Sequence, residues 1–373
     1  MRVLYIENIP APYRVDFFNE LGKRCDLTVL YESRIEGHRR KEWIGENEDN
    51  YTAIFLKQKK IFNRVICPEV CKYIKEGYDR IIIAVYNTLT SILAMEYMKF
   101  NNISFIISID GGMIRDDETN LRRFFKRYLL SGARYWLSPS EESDKYLQYY
   151  GAKKEYIYRY YFTSLLEKDI CKAHTLIGSK ELLKRKLSIK EDKVVLSVGR
   201  FNIDGGYGKG YDTLMKVARS LKMENIGFFV LGDEPTTEFV EWKNREKLDN
   251  VHFIGFMDKD HIAEYYAASD IFVLFTRSDV WGLVINEAMA YSLPIITTNK
   301  CVAGLELVNE GVNGYIIPVG SDNLASKRIH YLIKNNIYRL MGEESYKKIH
   351  DYSIEEMARQ HINIFEAIYG DIK

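Results

Sequence analysis

The sequence contains no uninterrupted apolar run long enough to cross a bilayer, so no spanning helix is expected. Cysteine is scarce and odd in number: Cys25, Cys67, Cys71, Cys171 and Cys301. Their spacing suits no zinc site, and reduced structural thiols in a reducing compartment are expected. None of the seven histidines falls in a metal or catalytic motif. No low-complexity segment and no short repeat appears. No charged segment followed by an apolar signal core precedes Met1–Ile6, which reads as a strand. The expectation is a chain that folds in the cytoplasm.

The net charge of +1 hides an asymmetry. Residues 1–190 carry 33 Lys and Arg against 25 Asp and Glu, and the remainder carries 20 against 27. A basic first half implies an anionic partner. The basic residues are dispersed and no nucleic-acid motif is present, so phosphate or an anionic membrane surface is expected rather than nucleic acid.

Short β-rich runs alternate with helical ones. Strands are expected at 3–6, 27–31, 81–85, 103–109 and 135–138. A charged helical stretch over 164–190 interrupts the pattern. It resumes with strands at 194–198, 227–231, 251–254, 271–275 and 294–298. Most are continuous apolar runs, as parallel strands covered on both faces read. Two doubly wound α/β domains follow, Rossmann-like and facing across a cleft: 1–170, then 171–353. A last helix at 354–369 could pack on either. Ligands of such sheets lie beyond the carboxyl ends of the strands.

The densest signal is Phe275 to Ala290. An apolar strand ends, a polar loop follows, and Gly282 opens a helix. Free N–H groups and the helix dipole make that turn an anion site suited to a diphosphate. Asp279 and Glu287, with seven residues between them, could both face a ligand across the helix start. Upstream, Ser197-Val198-Gly199-Arg200 ends a strand and Lys209-Gly210-Tyr211-Asp212 opens a helix. The intervening loop, Phe201–Gly208, holds Gly205, Gly206 and Gly208, which suggests mobility.

The context Ser-x-x-Asp-x-Trp-Gly-Leu-x-x-x-Glu-Ala-Met-Ala resembles the E-x7-E signature of retaining glycosyltransferases of the GT-B fold, family 4, also called group 1. Residues 292–298, 304–308 and 313–315 extend the likeness, which covers about 190–325. One departure is Asp279 in place of the first Glu. The resemblance implies a hexosyltransferase-type enzyme that needs no metal and no cofactor. Its donor would be a UDP-, GDP- or dTDP-sugar. Arg200 and Lys209 would hold the donor diphosphate, Asp279 the donor sugar and Glu287 the ribose. Trp281, Gly282, Leu283 and Gly232 would line the donor. The backbone at 251–256 resembles the strand that holds the base. Asp258-Lys259-Asp260 is similar to a metal motif of the other glycosyltransferase fold, but its place fits a helix cap.

In the first half, Pro10-Ala11-Pro12 stands where the family often has glycines. Tyr13 and Arg14 follow, expected on the acceptor or phosphate side. Asp110 stands where many members carry a His, and it is expected at the reaction centre, orienting the sugar or accepting a proton. The segment 121–130 places Leu121, Phe124, Phe125, Tyr128 and Leu129 on one helical stripe, with Arg122, Arg123, Lys126 and Arg127 beside it. Either the stripe packs in the core, or the helix docks on an anionic membrane. Docking would suit a lipid-linked glycan acceptor in surface polysaccharide synthesis. Two other readings stay open: a nucleotide-sugar epimerase or hydrolase of the same fold, and a non-catalytic module binding nucleotide sugar or lipid.

Overall fold

The computed structural model describes residues 1–34, 50–61, 64–115, 117–201 and 204–368, and these carry everything below. The chain divides into two compact units, Met1–Leu166 with Ser353–Lys373, and Glu167–Tyr352.

The first unit begins β1 (Arg2–Glu7), α1 (Pro12–Gly22), β2 (Asp26–Tyr31), β3 (Thr52–Phe55), β4 (Lys59–Ile61), β5 (Arg64–Ile66) and α2 (Val70–Ile74). It continues with β6 (Arg80–Ile83), α3 (Leu89–Phe100), β7 (Ile106–Ser108), α4 (Asn120–Leu130), β8 (Tyr135–Ser138), α5 (Glu141–Tyr149) and β9 (Ile157–Arg159). The second unit opens with α6 (Glu167–Ile177), α7 (Lys180–Lys186), β10 (Lys193–Gly199), α8 (Tyr211–Ser220), β11 (Ile226–Gly232), α9 (Thr237–Glu246) and β12 (Val251–Gly255). It runs on through α10 (Lys259–Ala268), β13 (Ile271–Leu274), α11 (Leu283–Ala290), β14 (Ile295–Thr298), α12 (Val302–Leu307), β15 (Gly314–Ile317), α13 (Asp322–Lys334) and α14 (Tyr338–Ile349). The last helix, α15 (Ile354–Ala367), belongs to the first unit and packs on α1. Tyr369, placed in that helix by the sequence pattern, lies outside the described residues.

Each unit is built on one parallel sheet. The first has the order β3-β2-β1-β6-β7-β8-β9, the second β12-β11-β10-β13-β14-β15. Both start from a central strand, step outward, then reverse to the other side, so the switch points lie between β1 and β6 and between β10 and β13. At such a reversal the connecting loops diverge and leave a crevice at the carboxyl edge. β6, β8 and β13 are buried throughout, as the continuous apolar runs require. The short strands β4 and β5 form a separate antiparallel pair.

Candidate functional site

At the second unit's switch point, β10 ends at Gly199 and β13 ends just before Phe275. Three ties bind the returning loop to this edge. Gly210 caps α8 with φ +73, and a Cβ there would fall 1.9 Å from the Phe275 carbonyl oxygen, so only glycine fits. The Thr276 hydroxyl and the Arg277 N–H both donate to Gly208 O, at 3.0 and 2.9 Å. The Arg277 guanidinium forks onto Asp212 at 2.7 and 2.8 Å and also donates to Tyr207 O. Mobility was expected of Phe201–Gly208 from its glycines. The structure fastens its end, Tyr207 and Gly208, to Thr276 and Arg277 in the loop after β13, while Asn202 and Ile203 lie outside the described residues. Gly206 serves a tight turn: a Cβ there would fall 2.6 Å from the Phe201 ring.

This anchorage presents Lys209, whose Nζ lies 2.5 Å from Asp279 Oδ2, both half-buried or nearly so. Asp279 is itself pinned, its N–H donating to Lys300 O at 2.9 Å. Arg200, just past β10, is exposed, with no side-chain hydrogen bond or ion pair among the described residues. Gly282 caps α11 with φ +106, and a Cβ there would meet Cys301 Sγ at 2.8 Å. Burial pushes that thiol up to about 12, which makes Cys301 a packing residue and not a nucleophile. The turn thus sets Lys209 and the amino end of α11 about one carboxylate. Arg200 stands one residue past Gly199, whose added Cβ would meet the Lys209 side chain at 3.3 Å. Such an arrangement can bind a polyanion and hold a neutral polar group beside it.

Glu287 accepts a hydrogen bond at 3.0 Å from the buried Tyr266 hydroxyl on α10. Leu283 is half-buried at the helix start. Trp281, expected to line the ligand, turns inward instead: its indole N–H donates to the buried Asn286 at 2.9 Å. Gly232 also differs from expectation in its reason. A Cβ there would fall 1.8 Å from Gly199 O, so strand packing, not ligand approach, demands glycine. Asp258 caps α10, accepting from the His261 N–H at 3.0 Å.

The first unit carries a second polar cluster at the carboxyl edge of its sheet. Arg14, expected on the acceptor or phosphate side, stands in the first turn of α1 but is only 2% exposed and turned to carboxylates of its own unit. Its Nε lies 3.3 Å from Glu7 Oε2, and its terminal nitrogen bonds Asp110 Oδ1. The Tyr13 hydroxyl donates to Asp110 Oδ2 at 2.9 Å. Asp110, after β7, is held by both neighbours and remains partly exposed. Burial drives Glu7 up to about 7, opposed by Arg14. Glu7 went unnoticed in the sequence; a single acid closing an otherwise apolar strand was its only signal.

Helix α4 is inverted. Leu130 is its only buried residue, and Phe124 and Phe125 are 64% and 55% exposed, with Leu121 and Tyr128 beside them. The core-packed alternative is therefore overturned. Arg122, Arg123 and Arg127 are exposed. Lys126 is not available with them: its ammonium lies 2.7 Å from the buried Glu118 carboxylate.

Residues 179–356 match the model of the family described as glycosyl transferases, group 1. The chain carries a group 1 glycosyltransferase domain. Two relatives are similar to part of the chain. N-acetyl-alpha-D-glucosaminyl L-malate synthase of Bacillus anthracis is 29% identical over 196 residues, 51% of this chain and 49% of that protein. Lipopolysaccharide glucosyltransferase WaaG of Escherichia coli is 31% identical over 128 residues, 33% of each. The chain thus spans about half the length of the B. anthracis relative. Among solved structures, HepE of Anabaena, in complex with UDP and glucose, superposes with TM-score 0.75 at 16% identity, covering 98% of this chain and all of that one. WaaG superposes with TM-score 0.68 at 17% identity, over 97% and 99%. WaaG is described as a glycosyltransferase involved in lipopolysaccharide biosynthesis, and this chain shares the GT-B fold of both.

Proposed function

We propose that the protein transfers a sugar from a nucleotide-sugar donor to an acceptor hydroxyl, with retention at the anomeric carbon and without a metal ion. The observation that carries this reading is the grouping of Arg200, Lys209, Asp279 and the amino end of α11 at the switch point of a nucleotide-type sheet. The leaving group is a nucleoside diphosphate whose charge grows as the glycosidic bond breaks. Fixed cations and helix N–H groups stabilise that charge more than they stabilise the ground state. Arg200 forks to two phosphate oxygens, and Lys209 supplies a point charge. Asp279 accepts from donor sugar hydroxyls, and Glu287 from the ribose. In the first unit Asp110 serves the acceptor hydroxyl. Its bonds to Tyr13 and Arg14 fix its orientation.

The acceptor we assign is a lipid-linked glycan, met at the inner face of the cytoplasmic membrane. The exposed apolar stripe of α4 supports this, flanked by Arg122, Arg123 and Arg127. Each basic residue near an anionic surface contributes about 1 kcal/mol, and buried aromatics add to it. A thermal-shift screen of UDP-, GDP- and dTDP-sugars tests the donor assignment, because a ligand of the folded state raises the melting temperature. At least one nucleotide sugar stabilises the protein, with EDTA making no difference. Stabilisation by none, or only with added metal, defeats the proposal. Donor turnover that proceeds equally without any acceptor makes the protein a hydrolase or epimerase instead.

A further inference from the structure

The nucleotide base has a recognisable place, given the donor reading above, on which this inference rests. Glu287 sits on the face of α11 turned to α10, since Tyr266 of α10 reaches it. On the other side of the diphosphate site, β11 and β12 follow β10 along the sheet. The turn after β11 abuts the end of β10 beside Arg200, where a Cβ at Gly232 would fall 1.8 Å from Gly199 O. A base carried along this edge therefore meets the turn after β12. That turn is Gly255-Phe256-Met257, and β11 and β12 shift register just before it, at Val230/Leu231. Phe256 is 39% exposed, a large ring on the surface at the carboxyl edge of the sheet. Gly255 has φ +78, and a Cβ there would fall 2.6 Å from a carboxylate oxygen of Glu234, which reaches over from the turn after β11. The Glu234 side chain is exposed and makes no hydrogen bond or ion pair among the described residues.

We infer that Glu234 selects a guanine base, so that the donor is a GDP-sugar. An ionised carboxylate only accepts hydrogen bonds. Guanine offers two adjacent donors, N1–H and the N2 amino group, which match two carboxylate oxygens side by side. Uracil and thymine offer a single N3–H flanked by two carbonyl oxygens, and the second carboxylate oxygen would face one of them. Adenine and cytosine each offer one amino group beside a ring acceptor. Exposed Phe256 gives the base a face to stack on, and the missing Cβ at Gly255 leaves the carboxylate room beside it. The UDP seen in HepE belongs to a protein 16% identical and does not decide the base here.

The experiment is titration of the full chain with GDP, UDP, dTDP, CDP and ADP, read by calorimetry, for wild type and Glu234→Gln. GDP binds the wild type about tenfold or more tighter than UDP or dTDP, the range expected of a matched bidentate pair. In Glu234→Gln, which retains wild-type melting, the GDP-to-UDP ratio falls to within about threefold. UDP or dTDP binding as tightly as GDP, or an unchanged ratio in Glu234→Gln, overturns the inference and leaves the donor site standing. If no nucleoside diphosphate binds the folded protein, the donor site itself is wrong, and the inference falls with it.

Discussion

Lys209 Nζ lies 2.5 Å from Asp279 Oδ2, so the proposed phosphate ligand and the proposed sugar ligand neutralise each other before any donor arrives. A donor diphosphate must share that ammonium, and the carboxylate it releases turns to the sugar. Removing either partner therefore has a distinct consequence. Lys209→Met removes transition-state charge stabilisation and lowers kcat by about 10²-fold or more. Asp279→Asn leaves nucleoside diphosphate binding within a few fold but raises KM for the nucleotide sugar. Steady-state kinetics beside nucleotide titration separates the two, and equal effects of both variants on both readouts contradict this division.

Arg14 bridges two carboxylates from a buried position, so truncating it leaves Glu7 buried without its counter-charge. Arg14→Met costs about 3–5 kcal/mol of stability. Lys at the same position recovers part of it, because the charge returns without the fork. Urea unfolding of the three proteins measures this. A loss below about 1 kcal/mol in Arg14→Met contradicts the bridge.

His361 of α15 donates from Nδ1 to Met357 O at 2.7 Å and packs against Phe17 and Tyr160. Burial drives its imidazole down to about 3. The unfolded chain, titrating near 6.5, therefore takes up a proton that the folded chain refuses. This stability is fully present above about pH 6.5 and is lost as the pH falls toward 3. Glu7, raised by burial, acts in the opposite direction, losing stability as the pH rises from about 4.3 toward 7. It is common to wild type and variant, so their difference isolates the histidine. The stability advantage of wild type over His361→Gln shrinks by about 2 kcal/mol between pH 7 and pH 5. An unchanged gap across that range contradicts a buried neutral imidazole.

The exposed stripe of α4 predicts lipid binding that needs both its rings and its charges. Phe124→Ser with Phe125→Ser weakens binding to anionic vesicles by tenfold or more, at about 1.4 kcal/mol per tenfold. Lys126→Gln leaves binding unchanged, since Glu118 already neutralises that ammonium. Sedimentation with phosphatidylglycerol vesicles reads both. Equal binding by the double serine variant contradicts docking through this face.

Much of the fold is legible in the residues. Tyr135–Ser138 reads as a strand and is one, with the same ends, because its neighbours on both sides bury it. Thr52–Phe55, Ile157–Arg159 and Gly314–Ile317 escape notice for the complementary reason. They are edge strands of three or four residues, paired on one side only, and lack a long apolar run. In the candidate site, Lys209 and Asp279 were legible through their neighbours in sequence. Glu7 with Arg14, and Tyr266 with Glu287, were not: the first pair needed burial, and the second needed packing between two helices, neither of which spacing encodes. The direction of the α4 stripe was undecidable from its periodicity, since a helix has the same pattern whichever face meets the protein.

The most direct test of the central claim is transfer of labelled sugar from a panel of nucleotide sugars to a membrane lipid extract, with wild type and Lys209→Met compared. Label enters the lipid fraction with wild type and falls about 10²-fold or more with Lys209→Met. No label from any donor, or label that Lys209→Met leaves unchanged, contradicts a glycosyltransferase working through this site.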